Sequence, residues 1–253
     1  YTVPGIQIVG RDTGSNGDSR ETESEAQAAE ESPSFFDLFF GFRGTSEKLD
    51  SPYAGLVTLE HGTATASNPD SEYVIIRTAR TLDRSITISG WTLEEDADTL
   101  SVKIGQAAGA PFLGQVNVEM PITLPGNSRV YVTTGRSPNG FSFRVNQCTG
   151  YFEQFQNFSP QLPLECPYPE DEILRRPEIL SGNAACIDYI ERLPRCRLST
   201  NNLPLEIGNL CQTFITNELS YNGCLNAHKN EPEFYKNEWR VFLNRDQELW
   251  KNK

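Results

Sequence analysis

The stretch SITISGWTLEE (residues 85–95) contains the most informative local pattern of the sequence. Ile86 and Ile88 alternate with polar residues, and this alternation is typical of a strand with one buried face. Gly90 then interrupts the pattern, because glycine tolerates the backbone angles of a bend or bulge that other residues resist. Trp91 follows and is large enough to fill the end of a core. We therefore predict a strand, a kink, an aromatic plug and a second strand.

Further strand patterns lie on both sides of this stretch. They occur in YAGLVTLEHG (53–62), SEYVIIRTA (71–79), LSVKIG (100–105), MPITLPGNSRVYVTTG (120–135) and GFSFRVN (140–146). Glycine, proline, asparagine and aspartate separate the runs, as is typical of turns between strands. Strands at this spacing predict an antiparallel β-sandwich.

The first 49 residues form an N-terminal arm of different composition. Its run Ile6–Val9 has the character of a short strand, whereas residues 12–31 hold seven acids and one base. Because residues 12–31 contain no aromatic or branched apolar side chain, they cannot bury a core alone. We predict a flexible linker here, with a short helix near its end.

The arm ends in a phenylalanine-rich segment, SFFDLFFGF, in which Phe35–Phe42 holds five phenylalanines in eight residues. So much apolar surface is unfavourable in water. We expect the segment to lie in a groove of the main domain. The alternative is a contact with a membrane interface or a partner.

Six cysteines mark the second half of the chain: Cys148, Cys166, Cys186, Cys196, Cys211 and Cys224. No pair has CxxC spacing, which argues against a zinc site, and an even number in one region favours a disulfide framework. Disulfides indicate an extracellular or cell-surface location. Six cysteines allow fifteen pairings. We favour sequence neighbours: Cys148–Cys166, Cys186–Cys196 and Cys211–Cys224.

The cysteine-rich region also changes in secondary-structure pattern. Prolines crowd residues 160–177, and helical patterns follow in NAACIDYIERL (183–193) and PLEIGNLCQTFITNELSYNG (204–223). In the second pattern, apolar residues recur at the spacing of one helical face. Pro204 suits the start of this helix and Asn222-Gly223 suits its end. We therefore predict one long helix here.

The net charge of −12 argues against a nucleic-acid partner and against docking on an anionic membrane. No run is long and apolar enough to span a membrane, so we expect no membrane insertion. The chain begins at Tyr1 rather than Met. This favours a mature fragment whose targeting segment has been removed.

Two stretches of the chain resemble a known family. EYVIIRTARTLDRSITISGWTLEE (72–95) is similar to the start of a lamin-tail domain, whose loose signature is Glu-Tyr-(Val/Ile) followed by Ile-x-Ile-x-Gly-Trp-x-Leu. ITLPGNSRVYVTTGRSPNG (122–140) resembles a later segment, in which a Leu-Pro-Gly turn leads into an apolar strand. The resemblance covers about residues 53–145. It implies a small immunoglobulin-like sandwich of the kind found in bacterial secreted or cell-surface proteins.

The resemblance also implies a division of the chain. Residues 1–49 are the arm, 50–145 the lamin-tail-like sandwich, 146–235 a cysteine-rich, partly helical insertion, and 236–253 a return segment of the sandwich. The insertion is long for the family, and the family's closing hairpin is absent from this sequence. In this scheme Gly90 and Trp91 have a structural role, with Trp91 packing across the sandwich.

Candidate catalytic and metal-binding residues are few. Glu94, Glu95, Asp96 and Asp98 form a candidate calcium cluster of hard oxygen ligands, although the calcium-loop consensus is missing and a polar turn explains the run equally well. His61 and His228 are the only histidines, and neither lies in a nucleophile motif. We therefore expect no enzymatic activity and no cofactor, with calcium as the one alternative.

Together these features predict a non-catalytic structural or binding module at a cell surface, whose partner is another surface protein or a glycan. In the first alternative, the chain is itself the partner and forms a filament. Ile6 and Ile8 of the arm would then add a strand to the open sheet edge of a neighbour. In the second alternative, the chain is an accessory domain of a secreted hydrolase.

Overall fold

The computed structural model describes residues 6–9, 51–95, 100–199 and 202–250. Most of the regular structure before residue 147 is strand. In chain order the strands are β1 (Ile6–Val9), β2 (Val57–Glu60), β3 (Tyr73–Thr78), β4 (Ile86–Thr87), β5 (Thr92–Glu95), β6 (Ser101–Lys103), β7 (Ala107–Ala108), β8 (Glu119–Met120), β9 (Thr123–Leu124), β10 (Arg129–Thr133), β11 (Phe143–Asn146) and β12 (Tyr235–Phe242). A mainly β fold is therefore confirmed.

Helices occupy the region between β11 and β12. They are α1 (Pro169–Ile173), α2 (Pro177–Leu180), α3 (Ala184–Ile190), α4 (Gly208–Asn217) and α5 (Tyr221–His228), with 3-10 turns at Thr149–Gln154 and Leu205–Ile207. The prediction of one long helix to residue 222 is wrong. The helix stops at Asn217, and Ser220 begins α5 by accepting a hydrogen bond from the backbone N–H of Gly223.

The strands form three sheets. The largest has the order β2-β3-β10-β12-β11-β7-β8, a second has the order β1-β5-β6, and β4 pairs with β9. In the largest sheet, β12 is parallel to β10 and β7 is parallel to β11, while the other pairs are antiparallel.

The prediction of a wholly antiparallel sandwich is therefore wrong for two strand pairs. The main cause is the long helical insertion after β11. It brings the chain back between β10 and β11, so that β12 separates two strands that are consecutive in sequence. A long crossover of this kind is what parallel neighbours require.

One core lies between the largest sheet and the two smaller ones, and we call it the sandwich core. It contains Val74 and Ile76 of β3, Trp239 and Val241 of β12, and apolar residues of β4, β5 and β9. These side chains come from alternate strand positions, as expected for the inner faces of stacked sheets.

A second core lies on the opposite face of the same sheet. Phe143 of β11 and Phe242 of β12 pack there against aromatic residues of the insertion, including Phe152 and Phe158. A third cluster, around Phe214 and Ile190, lies within the helices. The insertion thus covers the face of the sheet that the smaller sheets leave free.

Three disulfides join the six cysteines, and none is free. Their pairing is Cys148–Cys224, Cys166–Cys196 and Cys186–Cys211. The favoured pairing of sequence neighbours is wrong. The insertion folds back on itself, so that its first cysteine bonds to its last. The other two disulfides lie within the loop that this outer bond closes.

Candidate binding groove

An aromatic strip forms the floor of a groove on the sandwich side of the largest sheet. Arg144 of β11 pairs with Trp239 of β12 across the antiparallel ladder, so both side chains lie on one face. Tyr235 is four residues before Trp239 on the same strand and shares that face. Trp239 is buried in the sandwich core, whereas Tyr235 is 37% exposed. The core therefore ends between these two aromatic residues.

Arg144 lies between the two rings. Its guanidinium carbon is 4.9 Å from the ring centroid of Tyr235 and 5.8 Å from that of Trp239. Its Nε donates to the carbonyl oxygen of Lys236 (2.9 Å), and its Nη2 donates to Oδ1 of Asn237 (3.3 Å). Desolvation lowers the pKa of Arg144, and the nearby Tyr235 opposes this shift. Among the described residues, no carboxylate forms an ion pair with Arg144.

The connection between β7 and β8, residues 109–118, forms the wall of the groove. Two asparagine side chains hold its backbone. Oδ1 of Asn117 accepts from the N–H of Phe112 (2.7 Å), and Nδ2 of Asn117 donates to the Phe112 carbonyl (3.1 Å). Asn222 of α5 makes the equivalent pair of bonds with Leu113, at 3.0 and 3.2 Å. The loop is therefore fixed to itself and to the helical insertion.

This fixed loop presents apolar side chains to solvent. Val116 is 101% exposed and Val118 82%, and Met120 in the adjoining strand β8 is 47% exposed. Scattered exposed apolar residues are ordinary, but a contiguous group on a loop whose backbone is fixed by hydrogen bonds is typical of an interaction surface. Because the backbone is already ordered, a ligand that covers these side chains loses less entropy on binding than one that meets a mobile loop.

The floor and the wall together enclose a groove of about 720 Å³, which we call the hairpin groove. An adjoining depression of about 620 Å³ shares Arg144 and Tyr235 with it and extends past Glu233 and Lys236. This size is within the range of ligand-binding clefts. Its chemistry suits a ligand with apolar groups for the valines and an anionic group for Arg144.

Gly90 and Trp91 lie away from this groove. Gly90 has a φ of +89°, a left-handed value that favours glycine. Trp91 is buried in the sandwich core, and its ring centroid is 5.0 Å from that of Tyr53.

The candidate calcium residues are only partly described. Glu94 belongs to β5, whereas Asp96, Asp98 and the side chain of Glu95 lie outside the described residues. Within the described ranges, no group of histidine, cysteine, aspartate and glutamate side chains has the arrangement of a metal site.

The arm contributes one described element. Strand β1 pairs antiparallel with β5 of its own chain, with Ile6 opposite Glu95 and Ile8 opposite Leu93. The side chains of Ile6 and Ile8 lie outside the description, as does the Phe35–Phe42 segment.

The two histidines differ in environment. His61 is exposed, whereas His228 is buried between two carboxylates of the insertion. Its Nε2 is 2.9 Å from Glu172 and its Nδ1 is 2.9 Å from Glu231, which also accepts a 2.7 Å hydrogen bond from Arg175. This network ties α1 to the end of α5.

Arg144, Tyr235 and the exposed valines were not predicted from the sequence as functional residues. The run QVNVEM (115–120) carries a usable pattern, because apolar residues alternate with polar ones between Gly114 and Pro121. Such alternation predicts a strand with one covered face. Nothing in the sequence indicates that this face is exposed.

Comparisons of the chain with protein-family models, with curated proteins and with solved structures find no significant match. In the described ranges, no helix has the length and apolar character needed to cross a membrane.

Proposed function

We propose that this chain is a non-catalytic binding module that acts outside the cell or at its surface. We further propose that the hairpin groove holds an extended ligand with apolar groups and a carboxylate. One observation carries the proposal. A rigid loop exposes two valines beside an arginine that has no acidic partner in the described part of the chain.

The proposed fold is an immunoglobulin-like sandwich of the lamin-tail type. Two features support it: sheets stacked on one core, and the kink at Gly90 followed by the buried Trp91. The parallel neighbours of β10 and β11 depart from that type of sandwich. We attribute the β10–β12 pair to the insertion, which replaces a short connection with a long crossover.

The proposed location rests on the disulfides. Three bonds with no free cysteine are typical of proteins that fold in an oxidising compartment. The net charge of −12 supports solubility in such a setting.

The proposed ligand class follows from the groove's chemistry. Arg144 is partly desolvated by burial and lies close to the rings of Tyr235 and Trp239, and a cation in such a setting interacts strongly with an anion. Val116 and Val118 supply apolar surface that a ligand side chain covers. A peptide with an aspartate or glutamate next to large apolar residues combines both groups.

The test is selection of a random-peptide display library on the immobilised full chain. We expect enrichment of peptides that pair an acid with apolar residues, and loss of their binding in Arg144→Gln and in Val118→Ser. Arg192→Gln removes an exposed arginine elsewhere and should leave binding unchanged. If no peptide is enriched, or if enriched peptides bind the groove variants as well as the unmodified chain, the proposed ligand class is wrong.

A further inference from the structure

A second groove lies where the chain enters the sandwich after the arm, and we call it the entry groove. It has a volume of about 560 Å³ and is lined by Tyr53, Leu56 and Leu82, among others. These three side chains pack against the sandwich core but are only partly buried. Tyr53 also rests on Trp91, so the floor is supported from beneath by the core.

We propose that the entry groove binds this chain's own segment Phe35–Phe42. The proposal does not depend on the function assigned to the hairpin groove. It follows from three matches between groove and segment: chain length, apolar surface and charge.

Chain length places the segment within reach. Phe42 is nine residues before Ser51, and Pro52 is itself part of the groove lining. Nine residues span at most about 30 Å when fully extended. The groove therefore lies at the point where the chain re-enters the sandwich, and the short connection gives the segment a high local concentration beside it.

Apolar surface supplies the driving force. The five phenylalanines of the segment each carry roughly 150–250 Å² that can be buried. Left in water, they would form a patch well above the few hundred Å² that a monomer usually exposes. Tyr53, Leu56 and Leu82 are the exposed edge of an ordered core, which is a suitable surface for aromatic side chains.

Charged residues in the groove and in the segment are complementary and can fix the orientation of the bound segment. Arg84 and Asp83 are exposed in the groove lining, and neither forms an ion pair within the described residues. The segment carries one acid, Asp37, and Arg43 follows its last phenylalanine. One acid and one base on each side allow two complementary pairs.

Photo-crosslinking of the full chain tests this proposal. A benzoylphenylalanine at Thr81, an exposed residue of the groove lining, should react with the segment. Trypsin cuts after Arg20, Arg43, Arg80 and Arg84, so residues 81–84 and 21–43 become separate peptides. We expect these two peptides to be joined in the monomer fraction. The same photoprobe at Val116, in the hairpin groove, is the matched control and should not capture residues 21–43.

Substitutions show whether the contact is specific. Phe39→Ser with Phe40→Ser should abolish the cross-link from Thr81, because the driving force is aromatic burial. Arg84→Asp should lower its yield by about twofold to fivefold, as for an exposed ion pair, and Asp37→Arg in the same chain should restore it. In these variants the tryptic peptides change: Arg84→Asp extends the probe peptide to residues 81–103, and Asp37→Arg divides residues 21–43 after residue 37.

Three results overturn the proposal. The first is no cross-link to residues 21–43. The second is a cross-link found only in dimers, which assigns the groove to a second copy. The third is a yield that the phenylalanine substitutions leave unchanged.

Discussion

Arg240 and Tyr131 face each other across the parallel pair β12–β10, and the Arg240 guanidinium carbon lies 4.3 Å from the tyrosine ring centroid. The same guanidinium donates to the carbonyls of Pro160 and Gln161 in the insertion and to Oε1 of Glu238. Its side chain is only 4% exposed. One cation thus joins two central strands to the start of the insertion.

Replacing this arginine should therefore destabilise the fold. We expect Arg240→Met to lower the free energy of unfolding by about 3 kcal/mol, since it leaves Glu238 and two carbonyls without their buried donor. Arg240→Lys should cost less, because it keeps the charge but loses the fork of donors. Urea denaturation measures both. Arg192→Met, at an exposed position, is the control, and a loss of equal size there would refute the role given to Arg240.

Mass spectrometry of the unreduced protein should find the pairs Cys148–Cys224, Cys166–Cys196 and Cys186–Cys211, with no free thiol. Their sequence separations of 76, 30 and 25 residues make the outermost bond the most stabilising in the loop-entropy model. We expect removal of Cys148–Cys224 by paired alanines to cost about 1 kcal/mol more than removal of Cys186–Cys211. Six alkylatable cysteines in the native protein would contradict the framework and the proposed location.

Trp91→Ala should destabilise the sandwich by about 3–5 kcal/mol, because it opens a cavity in a buried aromatic site. Binding in the hairpin groove should persist at temperatures where the variant is folded, since Trp91 does not line that groove. Thermal unfolding and peptide binding are the two measurements. A variant that keeps its Tm but loses a ligand would show that Trp91 contacts the ligand instead.

Acid should weaken the insertion through Glu231. Desolvation raises the pKa of this carboxyl, but hydrogen bonds from Arg175 and His228 outweigh it, so the folded-state pKa is lowered. The carboxylate therefore stabilises the fold above its unfolded pKa of about 4.3, and this contribution is lost as pH falls through the folded value.

The stability of Glu231→Gln should accordingly fall less steeply below about pH 4.3 than that of the unmodified chain. Chemical denaturation across this pH range measures the difference. Glu206→Gln, which removes an exposed acid from the 3-10 turn Leu205–Ile207, is the control. Identical pH profiles for Glu231→Gln and the unmodified chain would contradict the role of this network.

Local patterns predicted much of the sheet framework. The alternating run SEYVIIRTA (71–79) predicted a strand, and Val74 and Ile76 of that strand, β3, lie in the sandwich core. The crowding of cysteines into one region predicted where the disulfides lie. Both features depend on residues that are close together in the sequence. For a strand, the period-2 pattern shows directly which side chains share a face.

Features that depend on distant residues were not predictable in this way. Two such features are the position of β12 between β10 and β11 and the disulfide between Cys148 and Cys224. Both depend on how the insertion folds back. Arg144 lies against the ring of Tyr235, which follows α1 to α5 in the sequence. A single sequence gives no measure of such long-range contacts.

The outermost disulfide changes how the chain responds to a protease. Cys148 lies two residues after β11, and Cys224 lies eleven residues before β12. A single cut of the backbone anywhere between these two cysteines leaves β11 and β12 covalently connected through sulfur. The insertion can thus be nicked without separating the strands on either side, and the two fragments come apart only when every disulfide that spans the cut is reduced.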